Sequence, residues 1–371
     1  MVSLLCFHIP LFFLSFRLVS ASHLANQSHL YDLVQPHAEV FPRKISRRSC
    51  SPSPPPLPSN CFPAVGFSTP SDVPASTDGW WCDPADEFGF LGFSYEITYC
   101  QSLAQLQTDF ANMRKTFNSR YVRLYGACDN EGFYNDIITA AWNNSLGVHA
   151  LVWCGFSNCN LMQPRFNALS SILHSNPMGP FVTRVVQMGT EPLFDDVITP
   201  QALTTQVNNA KQNLSDIGIN VTVSELAYGY QERAGSQAVL NAIDSINAHM
   251  LPFFAGDATT GQNAWPDVMS DLQYFIDNGG GKKIYFDENG WPSTDQGIAN
   301  IKPQSPTAVA SVGNEQAYYR LLDQRCEFLK NVVGGGVGWF AHIYTDSQEP
   351  GYGIYTTSGT LKFPFAPRTN C

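Results

Sequence analysis

Short apolar runs alternate with longer amphipathic stretches along most of this chain, and that alternation predicts strands separated by helices. The expected strands are Val65–Ser68, Tyr121–Gly126, Val148–Trp153, Val185–Gly189, Asn220–Ser224, Ile246–Phe254, Ile284–Phe286 and Gly336–Ile343. The expected helices include Ser102–Phe117, Thr199–Leu214, Trp265–Ile276 and Thr307–Val332. Eight strands spread over about 300 residues favour an α/β fold, a single (β/α)8 (TIM) barrel, over an open doubly wound sheet.

The N-terminal residues 1–21 have a different pattern, which is typical of a secretory signal peptide. An apolar run from Leu4 to Leu14 is followed by the small residues of Val19–Ala21, as at a cleavage site. The run is shorter than the ~20 apolar residues that a membrane-spanning helix needs. We therefore expect a cleaved signal rather than a membrane anchor, and no membrane span after its removal.

Residues 22–62 are rich in proline and serine, and we expect them to form a disordered linker or a propeptide before a catalytic-size domain at residues 63–371. Two basic pairs lie within this segment, at Arg43-Lys44 and at Arg47-Arg48. They are either processing sites or solvated linker charges, and the sequence leaves both interpretations open.

The ten cysteines indicate disulfides and therefore an exported protein. Without Cys6 of the signal and Cys50 of the linker an even eight remain, and their spacing lacks the repeated C-x-x-C pairs of zinc sites. Cys82 and Cys100 are expected to close a surface loop between the first strand and the first helix. Glycosylation sequons at Asn26, Asn143, Asn213 and Asn220 also fit secretion to the cell exterior or cell wall.

Charge and aromatic content narrow the class of partner. The net charge is −10, and lysine and arginine are scattered beyond residue 50. We therefore do not expect the protein to bind nucleic acid. The chain holds 7 Trp, 15 Tyr and 25 Phe, enough for a core and for the exposed rings of a sugar-binding groove. No glycine fingerprint for nucleotides accompanies the strands, and we expect neither a cofactor nor a metal.

Two predicted strands end in a glutamate, at the edge of the barrel where (β/α)8 enzymes place their active sites. Glu191 follows the fourth strand and Glu288 follows the seventh. These strands are three steps apart in a ring of eight, so the two side chains are expected to face each other across the mouth. A carboxyl pair about 5–5.5 Å apart is the arrangement of a retaining glycosidase. The competing interpretation is that Asp287–Gly290 forms only a polar turn.

Four segments together resemble glycoside hydrolase family 17, the β-1,3-glucanases of plants and fungi: Arg123–Gly126, Gly189–Glu191, Pro252–Phe254 and Asp287–Ser293. The most specific is Glu288-Asn-Gly-Trp-Pro-Ser293, where family members read Glu-Thr/Phe-Gly-Trp-Pro-Ser. The resemblance runs from about Val65 to the C-terminus. There Gly353–Tyr355 and Gly359–Phe363 look like the closing hairpin of the family.

The resemblance implies that Glu288 is the nucleophile and Glu191 the acid/base of a double displacement. It also implies a set of substrate-binding positions in the cleft: Tyr125, Thr190, Glu225, Trp291, Asp346 and Glu349. For three of them a structural role is an alternative. Tyr125 can pack in the barrel mouth, Trp291 can buttress the cleft, and Glu225 can form a supporting hydrogen bond or a surface salt bridge.

This chain departs from the family pattern at two places. Thr190 stands where relatives have an asparagine that would hydrogen-bond the sugar 2-hydroxyl. Loss of one such donor lowers turnover by a factor on the order of 10² elsewhere. No lysine occurs between Ile343 and Gly353, where relatives usually carry one beside their acidic residues.

A second match to the family motif is expected to be a coincidence. Val312–Glu315 spells the usual acid/base motif, but the apolar spacing that follows it is that of a helix, so Glu315 is not expected to be catalytic. His149 and His342 fall inside strand patterns and are expected in the core or in support of the site. His249, near the end of the sixth strand, is a candidate to reach the cleft.

The sequence thus predicts a secreted, monomeric, cofactor-independent enzyme that cleaves β-1,3-glucan with retention, with or without transglycosylation. The alternative is a glucan-binding wall protein that has kept the barrel and lost most of its activity.

Overall fold

Eight parallel strands close into a barrel in the computed structural model, which describes residues 60–295 and 302–371. The strands are β1 (Gly89–Glu96), β2 (Tyr121–Tyr125), β3 (Gly147–Val152), β4 (Thr183–Thr190), β5 (Asn220–Glu225), β6 (Ile246–Met250), β7 (Ile284–Asn289) and β8 (Val337–Ala341). Each strand pairs with the next in the chain, and β8 pairs with β1. The predicted (β/α)8 barrel is confirmed.

Helices follow the strands and form the outer layer of the fold. They are α1 (Leu103–Phe117), α2 (Phe133–Asn143), α3 (Met162–Ser175), α4 (Gly179–Val182), α5 (Pro200–Leu214), α6 (Ala227–Glu232), α7 (Gln237–Ala242), α8 (Trp265–Asn278), α9 (Val312–Gln324) and α10 (Cys326–Lys330). No helix among these described residues is long and apolar enough to cross a membrane. The predicted signal peptide, nearly all of the linker, and Cys6 and Cys50 lie outside the described residues.

Helix α1 shows how local sequence sets these elements. The side chain of Ser102 accepts a hydrogen bond from the backbone N–H of Gln105, which satisfies a donor at the helix start. The chain leaves the helix at Asn118 in the left-handed conformation, with φ 56°. Between these caps the residues on one face pack against the barrel: Leu106, Phe110, Met113 and Phe117.

The end of the barrel opposite the predicted site is closed by a buried ionic cluster. Glu87 is fully buried, accepts a hydrogen bond from the Tyr121 hydroxyl at 2.6 Å and forms an ion pair with Arg184 at 3.2 Å. Burial opposes ionisation of Glu87, but Arg184 and Arg120 outweigh it, so the pKa of this carboxyl lies below its ordinary value.

The prediction of the first strand was wrong. Residues 65–68 are not a strand, and β1 lies at Gly89–Glu96 instead. Gly92 interrupts the apolar run of β1 and conceals its strand character. Gly92 is required there because a Cβ at this position would lie 1.8 Å from the backbone oxygen of Tyr121. The segment before β1 is irregular, and within it the Phe62 and Trp80 rings stack with centroids 5.1 Å apart.

Four disulfides join the eight cysteines that the sequence assigned to the folded domain: Cys61–Cys82, Cys100–Cys128, Cys154–Cys159 and Cys326–Cys371. Disulfide formation is thus confirmed, but the expected loop closed by Cys82 and Cys100 is wrong. Each of these two cysteines bonds a different partner because β1 separates them.

Two predicted elements are shorter than expected. The sixth strand ends at Met250, and Pro252–Phe254 forms a 3-10 turn after it, because proline cannot donate to the strand ladder. The helix expected at 307–332 begins only at Val312, capped by the Ser311 side chain, and Arg325 separates α9 from α10. The remaining strand and helix predictions agree with the structure to within a few residues.

We predict that Gly92→Ala lowers the free energy of unfolding by about 2 kcal/mol or more, because the new methyl group meets backbone rather than a movable side chain. Urea denaturation with the disulfides intact would measure this loss. Gly256→Ala is the matched control, since a Cβ there meets nothing within 4 Å. Equal stability of the two variants would contradict the close approach of β1 and β2.

Candidate active site

Two glutamates face each other across the mouth of the barrel, as the sequence predicted. Glu191 directly follows β4, and Glu288 lies near the end of β7. A carboxylate oxygen from each, together with a ring nitrogen of His249, lie within 4.8 Å of one another. This proximity fits the carboxyl separation of about 5–5.5 Å that retaining glycosidases use. The side chains differ in exposure, at 20% for Glu191 and 6% for Glu288.

Glu288 is held as an anion by buried partners. Arg123, on β2, donates from Nη2 to Glu288 Oε1 at 2.8 Å, and the Thr190 hydroxyl donates to the same oxygen at 2.5 Å. Burial opposes ionisation, but the charges of His249 and Arg123 overcome it and lower the pKa of Glu288 to about 2. The carboxylate is therefore ionised over the whole physiological pH range, as a nucleophile requires.

His249, on β6, lies between the two glutamates. Its Nδ1 is 3.0 Å from Glu191 Oε1, and its Nε2 is 3.4 Å from Glu288 Oε1 and 2.7 Å from Ser224 Oγ. Burial disfavours the charged ring, but Glu288 and Glu191 more than compensate and raise the pKa of His249 to about 9. A protonated imidazole at neutral pH therefore bridges the pair. His249 was a candidate to reach the cleft, and its ring lies buried between the two glutamates.

Ser224 and Asp287 complete the buried polar layer below the glutamates. The Ser224 hydroxyl donates to Asp287 Oδ2 at 2.6 Å and accepts from Arg123 Nη2 at 2.9 Å. Arg123 Nε lies 3.5 Å from the same carboxylate of Asp287. Side chains from β2, β5, β6 and β7 thereby lock one another in place, which preorganises Glu288.

Glu191 is positioned by backbone geometry as well as by its contact with His249. It has φ 53°, a left-handed conformation that costs energy for a residue other than glycine. Glu225, fully buried at the end of β5, accepts hydrogen bonds from the backbone N–H groups of Leu193 at 2.7 Å and Phe194 at 3.2 Å. These bonds hold the turn that begins at Glu191.

Glu225 is therefore a positioning residue, and the surface salt bridge considered from the sequence is wrong because this side chain is not exposed. Its burial and its bonds to the turn fit the supporting hydrogen bond that was the other expectation for Glu225. Burial and the neighbouring Glu191 raise the pKa of Glu225 to about 8. Gly229 makes room for it, since a Cβ there would lie 2.4 Å from Glu225 Oε1.

The two predicted aromatic positions have different roles. Tyr125 is half-buried at the end of β2, with its ring centroid 5.3 Å from that of His342, so both cleft contact and packing remain compatible with its place. Trp291 is fully buried, donates from its indole N–H to the Val309 carbonyl at 3.0 Å and packs on Phe253. The burial of Trp291 fits its buttressing alternative.

The two acidic residues after β8 also have different contacts. Glu349 approaches His342, with Oε2 2.9 Å from Nε2, and its side chain remains 27% exposed towards the mouth. Asp346 instead accepts from the backbone N–H groups of Gly351 and Gly353, both at 3.0 Å, and stabilises the loop. Lys362 of the C-terminal segment pairs with Asp346 at 2.9 Å. Lys362, which is distant in sequence, thus lies beside Asp346, although the segment from Ile343 to Gly353 contains no lysine.

Glu315 lies in α9, as its helical pattern predicted, and not at a strand end. It is fully buried, and its Oε2 lies 3.4 Å from Lys362 Nζ. Its partner Lys362 is itself occupied by Asp346. The motif match at Val312–Glu315 is therefore a structural coincidence.

Sequence reasoning missed two residues of the mouth. Arg123 belongs to the family motif, and a lone arginine in an apolar strand is itself a signal of a buried ion pair. Glu96 ends β1, the strand that the apolar pattern places at residues 65–68 instead. Burial is the main cause that raises the pKa of Glu96 to about 7, and the charge of Glu349 adds to it.

Glu191, His249 and Glu288 form the one group of side chains, in the described part of the chain, whose ligand atoms are close enough to hold a metal ion. Arg123 and Thr190 already donate to Glu288 Oε1, and His249 Nε2 lies 2.7 Å from Ser224 Oγ, so these ligand atoms have protein partners. The group is better described as an acid–base cluster.

Comparison with known proteins agrees with this chemistry. A family model described as the BtgE/BtgC glycoside hydrolase domain matches residues 92–353, well over half of the chain. No curated protein sequence gives a match.

Three solved structures share the fold. An active-site mutant of Rhizomucor miehei β-1,3-glucanosyltransferase in complex with laminaritriose is 18% identical, with 75% of this chain and 97% of that chain covered and a TM-score of 0.61. A glycoside hydrolase family 17 β-1,3-glucanosyltransferase from the same organism is 20% identical over 76% and 98%, with a TM-score of 0.59. An endo-laminarinase from Formosa is 15% identical over 73% and 84%, with a TM-score of 0.58. At these identities the likeness establishes a common fold.

We predict that His249→Gln destabilises the protein in a pH-dependent way. A pKa raised from 6.5 to about 9 on folding corresponds to about 3 kcal/mol of stability. This contribution is fully present below pH 6.5 and is lost as the pH rises through 9. Urea denaturation of wild type and variant at pH 5.5 and pH 9.5 would show a difference that shrinks at the higher pH.

His149→Gln is the matched control and should show the opposite trend. Burial lowers the pKa of His149 to about 3, so the folded protein keeps this ring neutral where the unfolded chain protonates it. His149 therefore opposes folding below pH 6.5, by about 1 kcal/mol at pH 5.5. If both variants respond alike to pH, His249 is not charged in the folded protein.

Proposed function

We propose that this chain, which belongs to the BtgE/BtgC glycoside hydrolase domain family, cleaves β-1,3-linked glucan with retention of configuration at the anomeric carbon. The observation that carries the proposal is the pair of glutamates across the mouth, with carboxylate oxygens within 4.8 Å. A pair this close leaves no room for the water that an inverting enzyme places between its carboxyls and the sugar. β-1,3-Glucan is proposed from the sequence resemblance and from the fold shared with enzymes named for that substrate.

The reaction begins with Glu288, whose carboxylate attacks the anomeric carbon and forms a glycosyl ester. Glu191, protonated, gives its proton to the departing glycosidic oxygen as the bond to the sugar breaks. Glu191 then takes a proton from an incoming water, whose oxygen attacks the anomeric carbon and releases Glu288. Protons and bonds balance over the two steps without a cofactor.

Arg123 and Thr190 orient the attacking oxygen, because both donate to Glu288 Oε1 and leave the other oxygen without these bonds. His249 anchors Glu191 through the Nδ1 contact of 3.0 Å. In this scheme Thr190 donates its hydrogen bond to the nucleophile Glu288 and not to the sugar 2-hydroxyl.

An extracellular or cell-wall location is part of the same proposal. Four disulfides in the described residues fit an oxidising compartment. The predicted signal peptide at residues 1–21 would deliver the chain there, and a monomer acting on polysaccharide is expected.

A second candidate function, a glucan-binding wall protein with little activity, is favoured by one observation. Thr190 replaces the asparagine that family 17 enzymes are expected to carry, and its hydroxyl is directed at Glu288. The other sequence argument for this alternative, a missing lysine, is weakened by the position of Lys362 beside Asp346.

We predict that the protein releases reducing sugar from laminarin and that amide variants of the pair do not. Glu191→Gln should lower the rate by about 10²–10⁴, the value of general acid/base catalysis. Glu288→Gln should lower it further, because the covalent step itself is lost.

Glu315→Gln is the control for this pair, since it belongs to the same motif by sequence but lies outside the mouth. Burial raises the pKa of Glu315 well above its ordinary value, so an amide is a close substitute and the rate should stay at the wild-type level. A wild-type rate no faster than that of the Glu288→Gln variant would reject the enzyme and favour the binding protein.

We also predict that the initial products show retention, with the β-anomer released first when followed by NMR on laminarihexaose. Hydrolysis yields only shorter oligosaccharides, whereas transglycosylation yields some that are longer than the substrate. Because both reactions share Glu288 and Glu191, either product pattern fits the proposed mechanism. Release of the α-anomer first would contradict it.

A further inference from the structure

A cavity of about 630 Å³ lies beside the barrel mouth, between helix α1 and the segments that follow β1 and β8. Its volume is within the range of small-molecule sites. None of the residues that lock the two glutamates in place lines it. The lining is made of tyrosines, glutamines, threonines, an asparagine, a serine and a glycine, with Asp109 as the one charged residue among the described lining residues.

Two accessible aromatic rings give this cavity faces on which a sugar can stack. Tyr99 is 71% exposed, the largest exposed fraction of any aromatic side chain in the described residues. Tyr355 is half-buried, and its hydroxyl and that of Tyr344 both donate to Asn112 Oδ1 at 3.1 Å. These bonds fix the orientation of the Tyr344 and Tyr355 rings before any ligand binds. Rings of this kind bind the apolar face of a pyranose at little entropic cost.

The polar groups of the cavity match a neutral polyhydroxylated ligand. Gln105, Thr108 and Ser347 line the cavity with exposed amide and hydroxyl groups. Such groups both donate and accept hydrogen bonds, as sugar hydroxyls do. The Asp109 carboxylate is already engaged by the Tyr95 hydroxyl at 2.6 Å and by Gln105 Nε2 at 2.9 Å.

The loop after β8 separates this cavity from the catalytic pair. Gln348 lines the cavity, whereas its neighbour Glu349 contacts His342 on the side of the mouth. A polysaccharide chain that leaves the mouth over β8 would therefore reach the cavity across one loop. A single short oligosaccharide at the catalytic pair would not.

We propose that the cavity beside α1 is an accessory site that binds a stretch of the glucan chain away from the bond that is cleaved. The identity of the ligand as β-glucan rests on the proposed function. The accessory site would raise the affinity for long glucan chains without changing the reaction. Binding in the cavity adds to the affinity only when the same chain also occupies the catalytic pair.

Tyr99→Ala tests this inference, with Tyr99→Phe as the conservative variant that keeps the ring and Phe328→Ala as an exposed aromatic control on α10. In a Glu288→Gln background, affinity electrophoresis in gels containing laminarin measures binding without turnover. Tyr99→Ala should weaken binding by about threefold to tenfold, as expected for one stacking ring, while Tyr99→Phe and Phe328→Ala should leave it unchanged.

Kinetics with Glu288 intact supply the second readout. Tyr99→Ala should raise KM for laminarin by the same factor, with kcat unchanged and with laminaritriose cleaved at the wild-type kcat/KM. The proposal is overturned if Tyr99→Ala binds laminarin as tightly as Phe328→Ala does, or if laminaritriose is affected as strongly as laminarin. A wild type that binds laminarin through Tyr99 but does not cleave it would instead reject the proposed function alone.

Discussion

The contact on which the mouth of this barrel depends is the buried pair of Arg123 and Glu288. Both side chains are withdrawn from water, and an unpaired charge at either position would cost several kcal/mol. Arg123 must therefore pair with Glu288 and with Asp287 beneath it, and both carboxylates must face the barrel interior. His249 adds a second positive charge and keeps Glu288 ionised. The polar layer inside this end of the barrel thus consists of two carboxylates balanced by two positive side chains.

The two glutamates are positioned by different physical means. Glu288 is held by side-chain charges from several strands, and its pKa is correspondingly low. Glu191 lies on a strained backbone turn, which Glu225 supports through backbone N–H groups, and its carboxylate has one charged partner, His249. An anion clamped by fixed charges suits a nucleophile, whereas a more exposed carboxyl on a turn can exchange a proton in each half of the reaction. The asymmetry of the surroundings thus matches the asymmetry of the proposed roles.

Loops, rather than strands, account for most of the differences between expectation and structure. Trp291 follows a recognisable motif, yet the loop turns its ring into the core, where it supports Phe253. Asp346 was expected to meet substrate, but its carboxylate closes its own loop. Lys362 reaches that carboxylate from the far C-terminal segment. Side-chain direction in a loop depends on contacts distant in sequence, which local patterns do not encode.

The sequence by itself determined the barrel, seven of its eight strands and the two strand ends that carry glutamates. These properties follow from the local alternation of apolar and polar residues and from the order of the strands. Only the tertiary structure decided that β1 lies at Gly89–Glu96, that His249 bridges the pair, and that Arg123 sets the charge of Glu288. Each of these depends on which side chains from different strands meet inside the closed barrel, and only chain closure brings them together.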